Sequence, residues 1–267
     1  MTKPTDMRRA AFGFSGKTVL IAGGSRGIGF ACAQAFEELG AEVIILGRER
    51  TALEQARTRL ADAHGFMCDV RSAEDVARLV AEIDKTFNGI DVLVNCAGSA
   101  PRCAPEKLSP EIWHRAMEDK FLSYMNVAQP VIHAMLRRGT GCVVNVIGTG
   151  GKVPSNWHLA GGAANAALSL ATAGLARAHA AAGLRILAVS PGATATDLTL
   201  GRIQRQASET GLTPDELERE IVRNIPQGRM ADPKEVANAI TFLASDCAPF
   251  INGVNLMIDG AMTAGVL

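Results

Sequence analysis

The stretch KTVLIAGGSRGIGFACAQAFEELG, residues 17–40, decides the fold. Its first part is a short apolar run, too short for a helix, and it leads directly into glycines 23, 24, 27 and 29. Beyond them the apolar residues recur at helical spacing, so the segment reads as strand, glycine turn, helix. Glycine at such a turn lets the backbone approach a pyrophosphate. The free N–H groups and positive dipole end of the helix then face that anion.

Working outward, the same rhythm repeats through EVIILG, GFMCDV, DVLVN, CVVNVI, RILAVS and VNLMI. Strands separated by helices of this length imply a parallel sheet with helices on both faces, and runs that are apolar throughout are what a doubly covered sheet requires. Helix starts are marked by Ser72 with Asp75, by Thr213-Pro214-Asp215-Glu216 and by Asp232-Pro233-Lys234-Glu235, with Ser109-Pro110-Glu111 a weaker version. The second and third combine a capping side chain, proline at the first helical position and a Glu that completes a capping box. With no repeat or linker, the chain reads as one α/β domain over 15–267 behind a flexible tail, 1–14. Extra helical material over 194–226 interrupts the rhythm after a late strand, where a substrate lid would sit.

Composition excludes several classes. The 267 residues are 48% hydrophobic, and 27 basic side chains balance 27 acidic ones, leaving no net field to gather nucleic acid or an anionic membrane surface. Cysteines 32, 68, 96, 103, 142 and 247 are scattered without Cys/His clustering, so no metal site is expected and the thiols suit a reducing, cytoplasmic setting. The N-terminus lacks the apolar core of a secretory signal, and no run reaches the ~18 apolar residues of a membrane span.

Several motifs in order now resemble the short-chain dehydrogenase/reductase family: Ala22-Gly23 through Gly27 and Gly29, Asp69-Val70, Asn95-Cys96-Ala97-Gly98, Pro191-Gly192 followed by Thr196-Asp197, and the run from Gly228-Arg229-Met230 to Asp259-Gly260. The resemblance covers roughly residues 15 to 262. It implies a Rossmann-type, doubly wound parallel sheet of seven strands in a three-layer αβα sandwich. It also implies a homodimer or homotetramer built through long helices starting near 110 and 160, and a small-molecule substrate. Carried over, the cofactor contacts are Gly23, Ser25, Arg26, Gly27, Ile28, Gly29, Asp69, Val70, Asn95, Ala97, Gly98, Asn165, Pro191, Gly192 and Thr196. At the end of the second strand, where a carboxylate would bind the ribose 2'-hydroxyl, the chain has Gly47-Arg48 and no acid. With Arg26 in the glycine turn, Arg48 suits a 2'-phosphate, so NADP(H) is favoured over NAD(H).

The family's catalytic Ser, Tyr, Lys and Asn align with Gly148, Gly161, Asn165 and Lys120, all four changed. The sole tyrosine, Tyr124, starts no shifted motif. Gly161 and Gly162 lie in LAGGAANAAL, residues 159–168, where each costs roughly 1 kcal/mol against alanine in a helix. Gly161 stands where the tyrosine should be and enlarges the pocket; Gly162 suits a close approach by a neighbouring helix or the cofactor. Lys120, reaching into the vacated volume, and His158, three residues before Gly161, are the candidate catalytic groups. Three readings stay open: an NADP(H)-dependent oxidoreductase with an altered site, an inactive cofactor-binding or regulatory subunit assembled with active relatives, and a non-redox enzyme holding the dinucleotide structurally.

Overall fold

The computed structural model describes residues 12–263, so the expectation of a flexible tail over 1–11 lies outside the described residues. Seven strands, β1 (Thr18–Ala22), β2 (Glu42–Gly47), β3 (His64–Met67), β4 (Val92–Asn95), β5 (Gly141–Val146), β6 (Leu184–Pro191) and β7 (Asn255–Ile258), form one sheet in the order 3-2-1-4-5-6-7. Every pairing is parallel, with Ile21 of β1 opposite Ile45 on one side and Val94 on the other. Order reverses between β1 and β4, which opens the crevice where ligands of such sheets bind.

Alternation along the strands sorts the core into two faces. Val19, Ile21, Ile45 and Val94 pack with Phe36 of α1 (Gly27–Glu38) and with Val236 and Ile240 of α9 (Pro233–Ala244). Leu20, Ile44, Leu93 and Val143 pack with Val80 and Ile83 of α3 (Ala73–Thr86) and with Val131 and Met135 of α5 (Ser123–Arg138). The remaining helices are α2 (Arg50–Arg59), α4 (Pro110–Ala116), α6 (Leu159–His179), α7 (Asp197–Thr210) and α8 (Pro214–Arg223). Both expected capping boxes, Thr213 with Glu216 and Asp232 with Glu235, are present, whereas Ser109 makes no side-chain cap.

Two expectations are corrected. Phe14, placed in the tail, is 3% exposed and meets Phe36 edge-on with ring centroids 4.8 Å apart, so the packed body starts earlier. An aromatic ring there gains more from burial than the short segment loses in freedom. The second correction concerns the segment 159–182, which is long and apolar enough to cross a membrane by length and composition, because alanine and leucine dominate it. Its Leu168 nevertheless packs with Tyr124, Ile147 and Ala188, and Thr172 reaches the sheet through Asn145.

Residues 194–226 form α7 and α8, which share a small apolar cluster of Ile203, Ala207 and Leu217 with Met230. That cluster is separate from the two main cores and holds the insertion as its own unit at the carboxyl edge of the sheet.

Two glycines separate tight packing from open space. A Cβ on Gly29 would lie 2.1 Å from the Gly23 carbonyl oxygen, whereas one on Gly201 meets nothing within 4 Å. We expect Gly29→Ala to lose about 1–3 kcal/mol in urea unfolding. Gly201→Ala should instead be neutral or up to ~1 kcal/mol more stable. Equal effects of the two substitutions would contradict this packing.

Candidate active site

The turn after β1 presents an uncapped helix. No side chain caps the N-terminus of α1 at Arg26 and no acid lies in its first turn, a state it shares with α2 and α6, but α1 alone of these follows the glycine turn at the β1–β4 crevice. Free N–H groups with a positive dipole end and no internal partner fit a pyrophosphate. Around this turn the structure brings together Ser25, Gly27, Ile28, the Ala97 backbone and Thr196, whose methyl lies 3.5 Å from the Cβ position of Gly27. Pro191 and Gly192 close the edge at the end of β6, where the Gly192 N–H donates to Ile258. A cavity of about 520 Å³ opens beside the turn, lined among others by Ser25, Arg26, Gly27, Glu49, Thr196 and Asp197.

The charges at the ribose end differ from expectation. A carboxylate does enter, because Glu49 accepts from the Arg26 guanidinium at 2.5 Å. It sits one residue after Arg48, and both partners of the pair are more than half exposed, so the pair is weak and exchangeable. Asp69 is likewise engaged: Arg71 donates to both of its oxygens and holds its carboxyl below the usual range, with Arg48 contributing. The Val70 carbonyl accepts from Asn126 at 3.0 Å.

Asn95, carried over as a cofactor contact, braces the elements beneath the site. It is 0% exposed, and its amide donates to the Tyr124 carbonyl and to Asn145 Oδ1, while Asn145 donates to Thr172. These bonds tie β4, β5, α5 and α6 together beneath the site. Gly98 follows at the strand exit, where a Cβ would lie 2.5 Å from the Asp119 carbonyl oxygen.

Lys120 lies in a π-helical segment, Met117–Leu122, that joins α4 to α5. Such wide turns re-aim a side chain and recur at functional sites. Its amine does not point into vacated space: at 7% exposure it donates to Tyr124 Oη at 2.8 Å and to the Val146 carbonyl at 3.0 Å. The Tyr124 hydroxyl donates to the same carbonyl at 2.6 Å. Burial lowers the Lys120 amine to about 7.

The space at position 161 is not empty. A Cβ on Gly161 would lie 2.0 Å from Cε1 of His158, so the imidazole occupies the volume a side chain there would need. The expected enlarged pocket is therefore filled at this point. His158 sits just ahead of α6 in a non-helical conformation, which lets its ring fold back over the first turn. Gly162 answers a second contact, since its Cβ would lie 2.7 Å from the Gly150 carbonyl oxygen. Burial first, then the fields of Arg102, Arg202 and Lys120, push the His158 imidazole down to about 3, so it is neutral at ordinary pH. Its Nδ1 is buried without a partner, as is Oδ1 of Asn165 seven residues on. Gly148 adopts φ +112°, a conformation that disfavours any side chain, and its Cβ position faces Nδ2 of Asn165 at 3.5 Å. Neither ring placement nor the Glu49 pairing follows from helical or strand periodicity; a histidine followed closely by paired glycines is the one available signal.

A family model described as enoyl-(acyl carrier protein) reductase matches residues 22–263. The chain belongs to the short-chain dehydrogenase/reductase family. The 3-oxoacyl-(acyl-carrier-protein) reductase FabG of Vibrio cholerae is 30% identical over 248 residues, 92% of this chain and 97% of its own. The 2,3-dihydro-2,3-dihydroxybenzoate dehydrogenase of Escherichia coli is 33% identical, covering 94% of this chain and 99% of its own. The solved structure of an actinorhodin polyketide ketoreductase with NADPH superposes with a TM-score of 0.88 at 28% identity, covering 92% of this chain and 97% of that one. These relatives are oxidoreductases, and the seven-stranded single domain described above matches the solved member. An NAD+-bound xylitol dehydrogenase is as similar, with a TM-score of 0.87 and 28% identity over 93% of this chain and 99% of that one, so likeness alone does not choose between the two dinucleotides.

A buried amine that titrates near 7 when folded and near ~10.4 when unfolded leaves the unfolded chain holding more protons between those values, so stability rises with pH there. Thermal melts from about pH 7 to about pH 10 should show a smaller rise in Lys120→Met than in the parent chain. Identical pH slopes would show that the amine stays charged in the fold.

Proposed function

We propose that this protein is an NADP(H)-dependent oxidoreductase whose reacting oxygen is met by His158, the family's Asn, Ser, Tyr and Lys positions being held by Lys120, Gly148, Gly161 and Asn165. The observation that carries the reading is the His158 ring occupying the place of a side chain at 161. A bound nicotinamide dinucleotide supplies or accepts the hydride. The first turn of α1, with the Ala97 backbone and Thr196 beside it, holds the pyrophosphate. Arg48 and Arg26 hold the 2'-phosphate, and Glu49 must release Arg26 for that contact.

A neutral imidazole does not deliver a full positive charge. It polarises a carbonyl oxygen by donating its N–H, or accepts a hydrogen bond from a hydroxyl in the reverse direction, with water completing the proton exchange. Lys120 acts from below as a positioning residue: through Tyr124 and the Val146 carbonyl it fixes the end of β5, two residues before Gly148. The α7–α8 insertion, 194–226, closes over the substrate as a lid and excludes water. The exposed side of α6 and the helix starting at 110 support assembly as a homodimer or homotetramer in the cytoplasm, and the neutral net charge supports neither nucleic acid nor membrane as partner.

Fluorescence titration with NADPH and, separately, NADH tests the cofactor reading. NADPH should bind more tightly, Arg48→Ala should weaken NADPH by about 10- to 100-fold with little effect on NADH, and Glu49→Gln should tighten NADPH by about 3- to 10-fold. Equal affinities, or no binding of either, would remove the NADP(H) assignment. With a reducible substrate in hand, His158→Gln should lower kcat by about 10²- to 10⁴-fold while NADPH affinity holds. Unchanged turnover would exclude the imidazole from the chemistry.

A further inference from the structure

The loop that leaves β4 and the lid helix α7 meet above His158. Arg202 of α7 donates from Nη2 to Ser99 Oγ at 2.8 Å, joining the insertion to the loop one residue past Gly98. In the same loop Ala100 is buried against Ala116 of α4 and Ala160 of α6, which fixes the backbone two residues before Arg102 and beside Gly161. Ile203, next to Arg202, is buried in the lid's own apolar cluster, so α7 is held with that guanidinium turned to the loop. Arg202 is thus held at the β4 loop, and Arg102 follows three residues after Ser99 in that same packed loop.

Their charges are unbalanced. Several arginines meet carboxylates, as in Arg71 with Asp69, Arg138 with Asp91 and Arg229 with Glu235. Among the described residues neither Arg102 nor Arg202 forms an ion pair, although the chain carries as many acids as bases. Burial, then the charges of Arg102 and Arg205, lower Arg202 to about 10, desolvation lowers Arg102, and the charges that bear on His158 are those of Arg102, Arg202 and Lys120. Arg202 is half-buried and Arg102 is exposed at the loop it meets, and neighbouring cations without a counterion favour a ligand that brings one. Guanidinium groups match carboxylate and phosphate oxygens with paired N–H donors.

We propose that the substrate of this site carries an oxyanion, a carboxylate or a phosphate, bound between Arg102 of the β4 loop and Arg202 of the lid, with its reacting carbon beside His158. This deepens the oxidoreductase reading and rests on it for the chemistry, but anion binding itself does not depend on turnover. Docking of the anion draws the lid helix to the loop, so the group that identifies the substrate also closes the site over it.

Isothermal titration calorimetry of the full chain, with and without saturating NADPH, tests this using benzoate against its neutral isostere benzamide, and phenyl phosphate against phenol. The charged member of at least one pair should bind at least about 10-fold more tightly, and the pair that shows it identifies carboxylate or phosphate as the source. Arg102→Gln and Arg202→Gln should each remove about 10-fold or more of that preference, Arg202→Lys should retain part of it, and melting temperatures check that the variants fold. Equal binding of charged and neutral probes, absence of saturable binding by either anion, or an anion preference lost in Arg48→Gln but kept in both of these variants would overturn the proposal. Anion binding without NADPH binding or turnover would keep this site and discard the oxidoreductase reading.

Discussion

Parallel strands cannot follow one another through a tight turn; each needs a crossover, and right-handed crossovers bring all seven strand ends to one edge. Everything functional in this chain follows from that constraint. The glycine turn after β1, Arg48 after β2, Asp69 after β3, the Ala97–Arg102 loop after β4, Gly148 after β5 and the 194–226 insertion after β6 are far apart in sequence, and share one rim because each lies just past a carboxyl-terminal strand end. A rim built from loops would be loose if the sheet below it were only greasy. Asn95, Asn145 and Thr172 join β4, β5 and α6 through buried side-chain hydrogen bonds, and Lys120 with Tyr124 clamps the carbonyl of Val146. Buried polar groups that are largely paired in this way hold one geometry where apolar packing would tolerate several.

The sheet was legible because its signal is additive along each strand. Runs such as TVLIA and EVIILG are apolar on both faces, and a doubly covered parallel strand is the element that needs this. Caps were legible for the same local reason: Thr213 reaches Glu216 and Asp232 reaches Glu235 within one turn, so three residues suffice to specify them. Phe14 was misread because its partner, Phe36, lies across a strand and a turn, and no local pattern marks a single aromatic as core.

The site was less legible because its decisive contacts join different periodicities. Position-by-position reading finds a missing side chain at 161 but not the ring that enters its volume from the residue ahead of the helix, since that depends on one non-helical backbone conformation at His158. Arg26 and Arg48 read as a pair of cations, yet Glu49, the second residue past the strand end, already meets Arg26, a contact between separate elements that no strand or helix period marks. Arg102 and Arg202 gave no signal at all, because a cation in a loop and a cation on an amphipathic helix are each the ordinary content of a surface.

His158, Gly161 and Gly162 are best understood as one unit. Any side chain at 161 would expel the imidazole, and any at 162 would push away the Gly150 carbonyl and the loop that carries it. The arrangement is not a stabilising one: two helical glycines cost roughly 1 kcal/mol each against alanine, and a buried nitrogen without a partner costs about 1–3 kcal/mol more. The destabilising features gather at one spot, at the start of α6 beside the β4 loop, and they hold a neutral ring in the field of Arg102, Arg202 and Lys120. Gly162 is fixed by the Gly150 carbonyl and Gly161 by the imidazole, so a side chain at either position displaces a neighbour, and the three residues can change only together.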